Sequence, residues 1–374
     1  MTGRMDALML PLNWQRVRLG DIFFITAGGD LSKLHYSNTK QSDFNYPIYS
    51  NAIEKKGLYG YSSFFIIKNK SITITSRGTI GVAFFRDYPY VPIGRLLVLQ
   101  PKISNIDCRF YTEYINSKVK FNTEQTTIPQ LTIPKVALCE IPLPPLNEQI
   151  AIANILSDVD HYLYTLNALI LKKEGVKKAL SFELLSQRKR LKGFNQAWQR
   201  VRLGDICEIV KGQQINKISL NNTDKYPVIN GGIDFLGYTN KFNVSKNTIA
   251  ISEGGTCGYV RFMTSNFWSG GHNYSLQKIS NKVNNLCLYH ILKSYEKDIM
   301  KLGVGSGLKN IQLKALKDFE ILLPPLNEQI AIANILSDLD NEIISLKNKK
   351  RQFDNIKKAL NHDLMSAKIR VLKK

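Results

Sequence analysis

The chain spells out one frame twice. The run Trp14-Gln15-Arg16-Val17-Arg18-Leu19-Gly20-Asp21-Ile22 returns letter for letter from Trp198 to Ile206, and the run from Pro144 to Asp158 (PPLNEQIAIANILSD) returns unchanged from Pro324 to Asp338. A repeat this long is a whole domain rather than a short solenoid unit. The 374 residues therefore hold two copies of one architecture, each with its own core, and the inserts between the fixed blocks have drifted far apart. A fixed frame carries two variable inserts.

The inserts read as short strands separated by Gly, Asn and Pro. Ser71-Ile72-Thr73-Ile74-Thr75 alternates with period two, and the turn Gly78-Thr79-Ile80-Gly81 leads into Val82-Ala83-Phe84-Phe85. The second half answers with Asn247 to Ile251, Gly255-Thr256-Cys257-Gly258 and Tyr259 to Phe262. Tyr46-Pro47-Ile48 likewise matches Tyr226-Pro227-Val228, and Ile53 with Gly57 matches Ile233 with Gly237. Short helices are expected near Cys108 to Ser117 and Asn285 to Lys297.

After each Pro-Pro pair the period changes. Asn147 is placed as an N-cap, with Glu148 in the first turn where negative charge complements the helix dipole. Ile150, Ala153, Leu156, Val159, Leu163, Leu166 and Ile170 then step by three and four. In the second copy Leu336, Leu339, Ile343, Leu346, Phe353, Leu360 and Leu364 do the same, an a/d seam interrupted by lysines. Helices of roughly 40 residues, about 60 Å long, are expected, packed antiparallel as a rod with a globular domain at each end. Gly175 marks a bend or a close approach. The expected fold class is α+β: two similar mixed α/β domains joined by a coiled coil of two long antiparallel helices, an internal repeat about a pseudo-twofold axis. The expected divisions are 1–145, 146–193, 194–325 and 326–374. Because the first helix leads into Trp198 as the second would lead back to Trp14, the chain ends are expected to lie close together.

The formal charge of +21 points to a polyanion, most often nucleic acid, and no apolar run approaches the length of a transmembrane helix. Ala7-Leu8-Met9-Leu10, cut by Pro11, is too short for a secretory signal. Cys108, Cys139, Cys207, Cys257 and Cys287 lack any C-x-x-C spacing, as in a cytoplasmic protein with reduced thiols.

Two Gly-rich mixed domains, each opening on W-x-x-V-x-L-G-D-I and closing on Leu-Pro-Pro-Leu-Asn-Glu-Gln, resemble the specificity subunit of type I restriction–modification systems. The resemblance covers essentially the whole chain. It implies two target-recognition domains, each reading one half of a split double-stranded DNA site, with two helices as spacer. It also implies two modification subunits that supply S-adenosylmethionine-dependent adenine methylation, and restriction subunits that use Mg and ATP. The chain itself would bind no cofactor.

The residues reach part of this unaided. Two inserts of one fold and different surface suit an asymmetric, bipartite site. Half-sites on one side of a duplex lie roughly 34–36 Å apart, within reach of domains packed inward of the ends of such a rod. Four residues (about 6 Å) inserted into both helices should then lengthen the unread gap by roughly two base pairs. Identity that extends to polar letters suggests equivalent docking sites for one partner, carried by Asn147, Glu148, Gln149 and Asn154 and by Asn327, Glu328, Gln329 and Asn334; recent duplication or recombination is the alternative. Candidate DNA contacts fall on loops at equivalent places with different content. They are Lys33 against Gln213 and Lys217, Arg77 and Thr79 against Thr256, Thr126 and Gln130 against Ser306, Lys309 and Asn310, and His272 in Gly-Gly-His-Asn. Arg and Lys suit guanine, Asn and Gln suit adenine, and Glu, as at Glu253, accepts from cytosine; each could equally be a phosphate contact. The basic runs Lys172-Lys173, Lys177-Lys178, Arg188-Lys189-Arg190 and Lys347 to Arg351 are either a solvated helix face or a phosphate track.

Signs of catalysis are absent from the text. There is no Asn-Pro-Pro-aromatic motif, no G-x-x-x-x-G-K-[ST] loop, and no metal-ligand spacing among His35, His161, His272, His290 and His362. Gly303-Val304-Gly305-Ser306-Gly307 lacks a Rossmann context and reads as a turn. The expectation is a non-enzymatic, cytoplasmic DNA-recognition subunit. The alternative is a protein-recruiting scaffold with nonspecific nucleic-acid binding.

Overall fold

The computed structural model describes residues 11–121 and 129–371. The apolar stretch 7–10 and the candidate Thr126 lie outside them. The chain divides into two units, Met1–Leu166 with Lys349–Lys374, and Asn167–Asn348. Each unit therefore takes one globular domain, the start of the helix that follows it and the end of the other long helix. Five helices matter below: α1 (Cys108–Lys118), α2 (Leu146–Leu185), α3 (Asn285–Ser294), α4 (Glu296–Lys301) and α5 (Leu326–Met365).

In the first unit, the repeated Trp-Gln-Arg-Val text forms strand Gln15–Arg18, antiparallel to Glu140–Leu143 with Val17 opposite Ile141. The chain thus enters and leaves the domain side by side, and Pro144-Pro145 launches α2 from that exit. An antiparallel sheet runs Phe23–Ala27, Leu97–Pro101, Ser71–Ile74, Ala83–Arg86, beside a small sheet of Leu58–Ser62, Tyr46–Tyr49 and Val91–Pro92. The second unit repeats this order. Gln199–Arg202 pairs with Glu320–Leu323, and its sheet runs Glu208–Lys211, Asn273–Gln277, Thr248–Ser252, Val260–Met263.

The core of the first unit joins Leu19, Phe23, Ile72, Phe110 and Tyr111 to Ile152, Ala153 and Leu156 of α2 and to Leu364 and Met365 of α5. In the second unit Ile332, Ala333 and Leu336 of α5 and Leu185 of α2 take those places. Within each unit the helices run antiparallel. Tyr162 packs on Phe353, ring centroids 4.5 Å apart, while Lys357 reaches Asp160. In the second unit Lys173 pairs with Glu342 at the position equivalent to Phe353 and Tyr162. One unit fills that place in the seam with aromatic rings and the other with an ion pair.

Four details differ from the sequence reading. The helix starts one residue before Asn147: the Gln149 N–H donates to the Pro145 carbonyl at 3.1 Å, so Pro145 holds the cap position and Asn147 lies within the first turn. Ile150, placed in the seam, faces solvent. Strand Ser71–Ile74 is buried on both faces, because the polar face of its alternation meets protein: Thr73 accepts from the Arg86 Nε, and Ser71 bonds the Tyr90 hydroxyl. At Gly175 α2 continues unbroken, and an added Cβ would meet nothing within 4 Å. A G175A substitution should therefore raise stability by about 0.5–1 kcal/mol through helix propensity alone, read as a higher urea midpoint; a lower midpoint would mean that the glycine has a conformational role.

His290 on α3 faces the paired helices and is buried. Burial first, and the charge of Lys177 second, push its imidazole down to about 4, against the opposing pull of Asp340. An unfolded imidazole takes its proton near pH 6.5, so between 6.5 and about 4 the unfolded chain binds more protons. Stability should fall as pH drops through that window. Urea midpoints at pH 7.5 and 5 measure the slope; H290Q should flatten it, and an unchanged slope in H290Q would contradict this assignment.

Candidate nucleic-acid interface

The candidate loops of the first domain converge on a residue that sequence reasoning passed over. Asn51 follows strand Tyr46–Tyr49; its Oδ1 accepts the Ser76 N–H at 2.7 Å and its Nδ2 donates to the Gly94 carbonyl at 2.6 Å. The Gly94 N–H in turn donates to the Gly29 carbonyl at 2.8 Å, and the Leu131 N–H donates to the Ser76 carbonyl at 2.9 Å. Three segments distant in sequence are thereby fixed around one amide. Arg77 and Gln130, exposed and half-buried, are brought together there, Nη2 to Oε1 at 3.4 Å. Thr79 sits on the same turn, its carbonyl accepting from the Thr75 hydroxyl. Lys33 stands elsewhere: its 3₁₀ turn, Lys33–His35, contacts Ser63 and Phe64 through His35.

The second domain builds the same place differently. The Ile311 N–H donates to the Glu253 carbonyl, as Leu131 does to Ser76, and the Glu253 N–H donates to the His272 carbonyl. Asn230 accepts the His272 N–H at 3.0 Å, and the Thr256 N–H donates to Gly231, the counterpart of Asn51. His272 and Asn310 are exposed around this junction, and Gly254 lies against the Asn310 side chain, which would have to turn away to admit a Cβ. Gln213 is held through its backbone, its N–H to Ser269 and its carbonyl from the Trp268 indole, which leaves its side chain outward. Ser306 and Lys309 lie on the exposed turn of a hairpin, Gly303–Val304 with Asn310–Ile311, so the glycine-rich run is a turn. Lys217 begins a 3₁₀ turn capped by Asn216.

Glu253, considered as an acceptor for cytosine, is turned inward. Its Oε1 accepts from Lys211 at 2.7 Å and from the Tyr274 hydroxyl at 3.2 Å, and only 9% of the residue is exposed. Burial, reinforced by this carboxylate, pushes the Tyr274 phenol up to about 12, so it stays a donor. Glu253 shapes the junction. A short polar residue after the Tyr-Pro strand was the available signal for Asn51 and Asn230, but its partners lie tens of residues away.

The proposed docking letters split. Glu148 and Gln149, with Glu328 and Gln329, are buried and bonded within their own units, which corrects their assignment to an external surface. Glu148 accepts from the Trp14 indole at 3.0 Å and from Arg370 at 2.7 Å. Glu328 accepts from Trp198 at 3.1 Å and from Arg190 at 2.7 Å. Arg370 also touches Asn13 at 3.1 Å, so the two ends of the described first unit meet as expected. Asn147, Asn154, Asn327 and Asn334 remain exposed. Together with Ile150, Asp158, Ile330 and Asp338 they form the same solvent-facing stripe on each helix start.

The helix lysines are largely engaged: Lys173, Lys177, Lys347 and Lys357 each pair with a carboxylate on the facing helix, and Arg190 is spent on Glu328. Among the described residues no group of His, Cys, Asp and Glu is placed to hold a metal ion, and no helix is long and apolar enough to cross a membrane. Burial pushes the thiols of Cys108, Cys207 and Cys287 up to about 12, which keeps them protonated.

The profile of the type I restriction modification DNA specificity domain matches residues 11–174 and again 195–353. A Mycoplasma pneumoniae protein bearing a type I specificity-subunit name is 38% identical over 165 residues, 42% of this chain and 44% of that protein. The MjaVIII specificity subunit of a type I restriction enzyme from Methanocaldococcus jannaschii is 25% identical across 98% of this chain and 95% of its own length. The first of these alignments thus spans less than half of the relative. In solved structures, the S subunit of a type I restriction–modification system from M. genitalium shares the fold, with a TM-score of 0.74 at 21% identity, over 95% of this chain and 98% of that one.

Proposed function

Because the chain belongs to the family of the type I restriction modification DNA specificity domain, which it carries twice, we propose that it is the non-catalytic DNA-reading subunit of a restriction–modification complex. Each globular domain reads one half of an asymmetric, bipartite duplex site, and the helices set the unread gap. Two modification subunits dock on the duplicated helix starts and bring S-adenosylmethionine to the adenines; restriction subunits bring Mg and ATP.

The observation that carries this proposal is the division of the identical blocks. Inward letters such as Glu148, Gln149 and Leu156 have a reason to persist in the fold itself. The outward stripe of Asn147, Ile150, Asn154 and Asp158 has less. Asn154 accepts from Arg109 at 2.9 Å and Asn147 from the Glu148 N–H at 3.0 Å, but Ile150 and Asp158 face solvent, and the stripe recurs whole at Asn327, Ile330, Asn334 and Asp338. Ile150 and Ile330 are 37% and 40% exposed in the middle of it. A surface kept twice beside loops that diverged suits one partner bound twice, and diverged loops suit two different half-sites. The test is stoichiometry. I150D and I330D should each leave an assembly with one modification subunit and the double variant none, by native mass, without loss of fold. Full assembly by the double variant would remove the docking proposal. The gap is tested separately: four residues inserted into each helix should lengthen the unread spacer by roughly two base pairs, and an unchanged spacer would refute the ruler.

A further inference from the structure

Each unit carries a lysine-lined cleft that the reader loops and the docking stripe leave unused. In the first unit it is a cleft of about 460 Å³ between the end of α1 and α5, with Lys118, Asp354, Lys357, Lys358 and Asn361 on its walls. In the second it is a cleft of about 610 Å³ between α3–α4 and the paired helices, with Glu174, Lys177, Lys178, Lys293 and Lys297 among its lining. The two occupy one place in the repeat. Asp354, Lys357 and Lys358 stand in α5 where Glu174, Lys177 and Lys178 stand in α2, and burial along 351–360 follows burial along 171–180 position for position.

Several of these charges are cancelled internally. Lys357 lies 2.7 Å from Asp160 and Lys177 lies 2.5 Å from Asp340, while Lys293 pairs with Glu296. Asp354 is taken by Lys350 at 3.3 Å and Glu174 by Lys347 at 2.6 Å. What remains in each cleft is one lysine from the globular domain and one from a long helix: Lys118 with Lys358, and Lys297 with Lys178. Burial pushes the Lys118 ammonium down and the charge of Lys368 pushes it further, with Asp363 offsetting part. Among the described residues no carboxylate forms an ion pair with any of the four, Asp363 acting on Lys118 only at longer range, and two such cations gathered in a cleft call for an anion.

In each unit the chain running on from the cleft wall touches a turn that carries a candidate DNA contact. Three residues beyond Lys118, Phe121 lies against Gly81, where a Cβ would meet its ring at 2.9 Å. Three residues beyond Lys297, Met300 lies against Gly258, where a Cβ would meet its backbone at 2.7 Å. Gly81 and Gly258 close the turns that carry Thr79 and Thr256.

We propose that the two clefts are sequence-independent anchors for DNA backbone phosphates next to the bases each domain reads. The proposal rests on the DNA-reading function above. Lysine is a compact point charge that holds phosphate without selecting a base. Retention in both units fits a contact that carries no sequence information, whereas the neighbouring loops diverged.

The test uses the full chain assembled with its modification subunits, comparing wild type with K118Q/K358Q and K178Q/K297Q. Binding to the target duplex and to a scrambled duplex of equal length is followed from about 50 to 200 mM salt. Each double variant should lower the slope of log affinity against log salt by about 1–2 and weaken both duplexes alike by about tenfold, with target preference kept. An unchanged slope would overturn the inference, as would a loss confined to the target duplex, or a loss of modification subunits with DNA binding intact. A wild-type assembly with no preference for any duplex would instead sink the DNA-reading function on which the inference rests.

Discussion

R370A is expected to destabilise the first unit by about 3 kcal/mol, far more than a surface ion pair would. Arg370 grips Glu148 with two bonds, Nε to Oε1 at 2.7 Å and Nη2 to Oε2 at 3.1 Å, and Trp14 adds its indole N–H to Oε2 at 3.0 Å. The Glu148 side chain is 2% exposed and that of Arg370 34%. Removing the guanidinium leaves a buried carboxylate with a single indole donor and the helix start. Breaking a buried pair from one side in this way costs about 3–5 kcal/mol, against 0–1 for exposed pairs. The exposure of Arg370 sets the expectation at the lower end. R370K keeps the charge but loses the fork, and should fall between. E148Q combined with R370A should cost less than the two single changes added, because the uncompensated charge is gone. R190A should repeat the effect in the second unit, where Arg190 grips Glu328 at 2.8 and 2.7 Å. Unit-resolved hydrogen exchange measures both; a loss below about 1 kcal/mol would show that the latch is a surface contact.

Q149A is expected to cost roughly 2–4 kcal/mol for a different reason. The Gln149 side chain is fully buried, and its one amide serves three backbone groups. Its Oε1 accepts the Asp107 N–H at 2.9 Å, and its Nε2 donates to the Asn105 and Pro144 carbonyls at 3.0 and 2.8 Å. Truncation orphans all three groups, at about 1–3 kcal/mol for a buried group that loses its only partner. Q149E separates hydrogen bonding from volume. It keeps the shape and the acceptor, replaces the donor with a second oxygen facing two carbonyls, and should cost at least as much as alanine. Gln329 makes the equivalent bonds to Asn284, Lys282 and Pro324, so Q329A should match. A Q149E chain as stable as wild type would refute this account of why the Gln persists.

These two residues also show where sequence reading ends. The step of three and four from Ala153 through Leu156 to Ile170 announced the long helices, because apolar burial has a period. Polar burial has none. Glu148 and Gln149 looked like surface letters because Glu and Gln are rarely buried, and what buries them, Trp14, Asn105, Asp107 and Arg370, is far away in sequence. The alternation of Ser71 to Thr75 marked a strand, but that its polar side meets Arg86 and Tyr90 rather than water is set by tertiary packing. Asn147 resembled a cap, while the Pro145 carbonyl had already begun the helix. Of the candidate loops, the structure brings together those that backbone bonds tie: Arg77 with Gln130 beside the Leu131–Ser76 bond, and His272 with Asn310 around Glu253. A short polar residue after the Tyr-Pro strand was the one local mark of Asn51, and its partners Ser76 and Gly94, which make it the point of convergence, lie tens of residues away.

The most direct test of the central claim is a map of methylated adenines in DNA exposed to the chain assembled with its modification subunits and S-adenosylmethionine. The account predicts one asymmetric motif made of two unlike half-sites separated by an unread gap of fixed length, with R77A relaxing the half read by the first domain and leaving the other intact. A single contiguous motif, two identical halves, or methylation without any motif would contradict it.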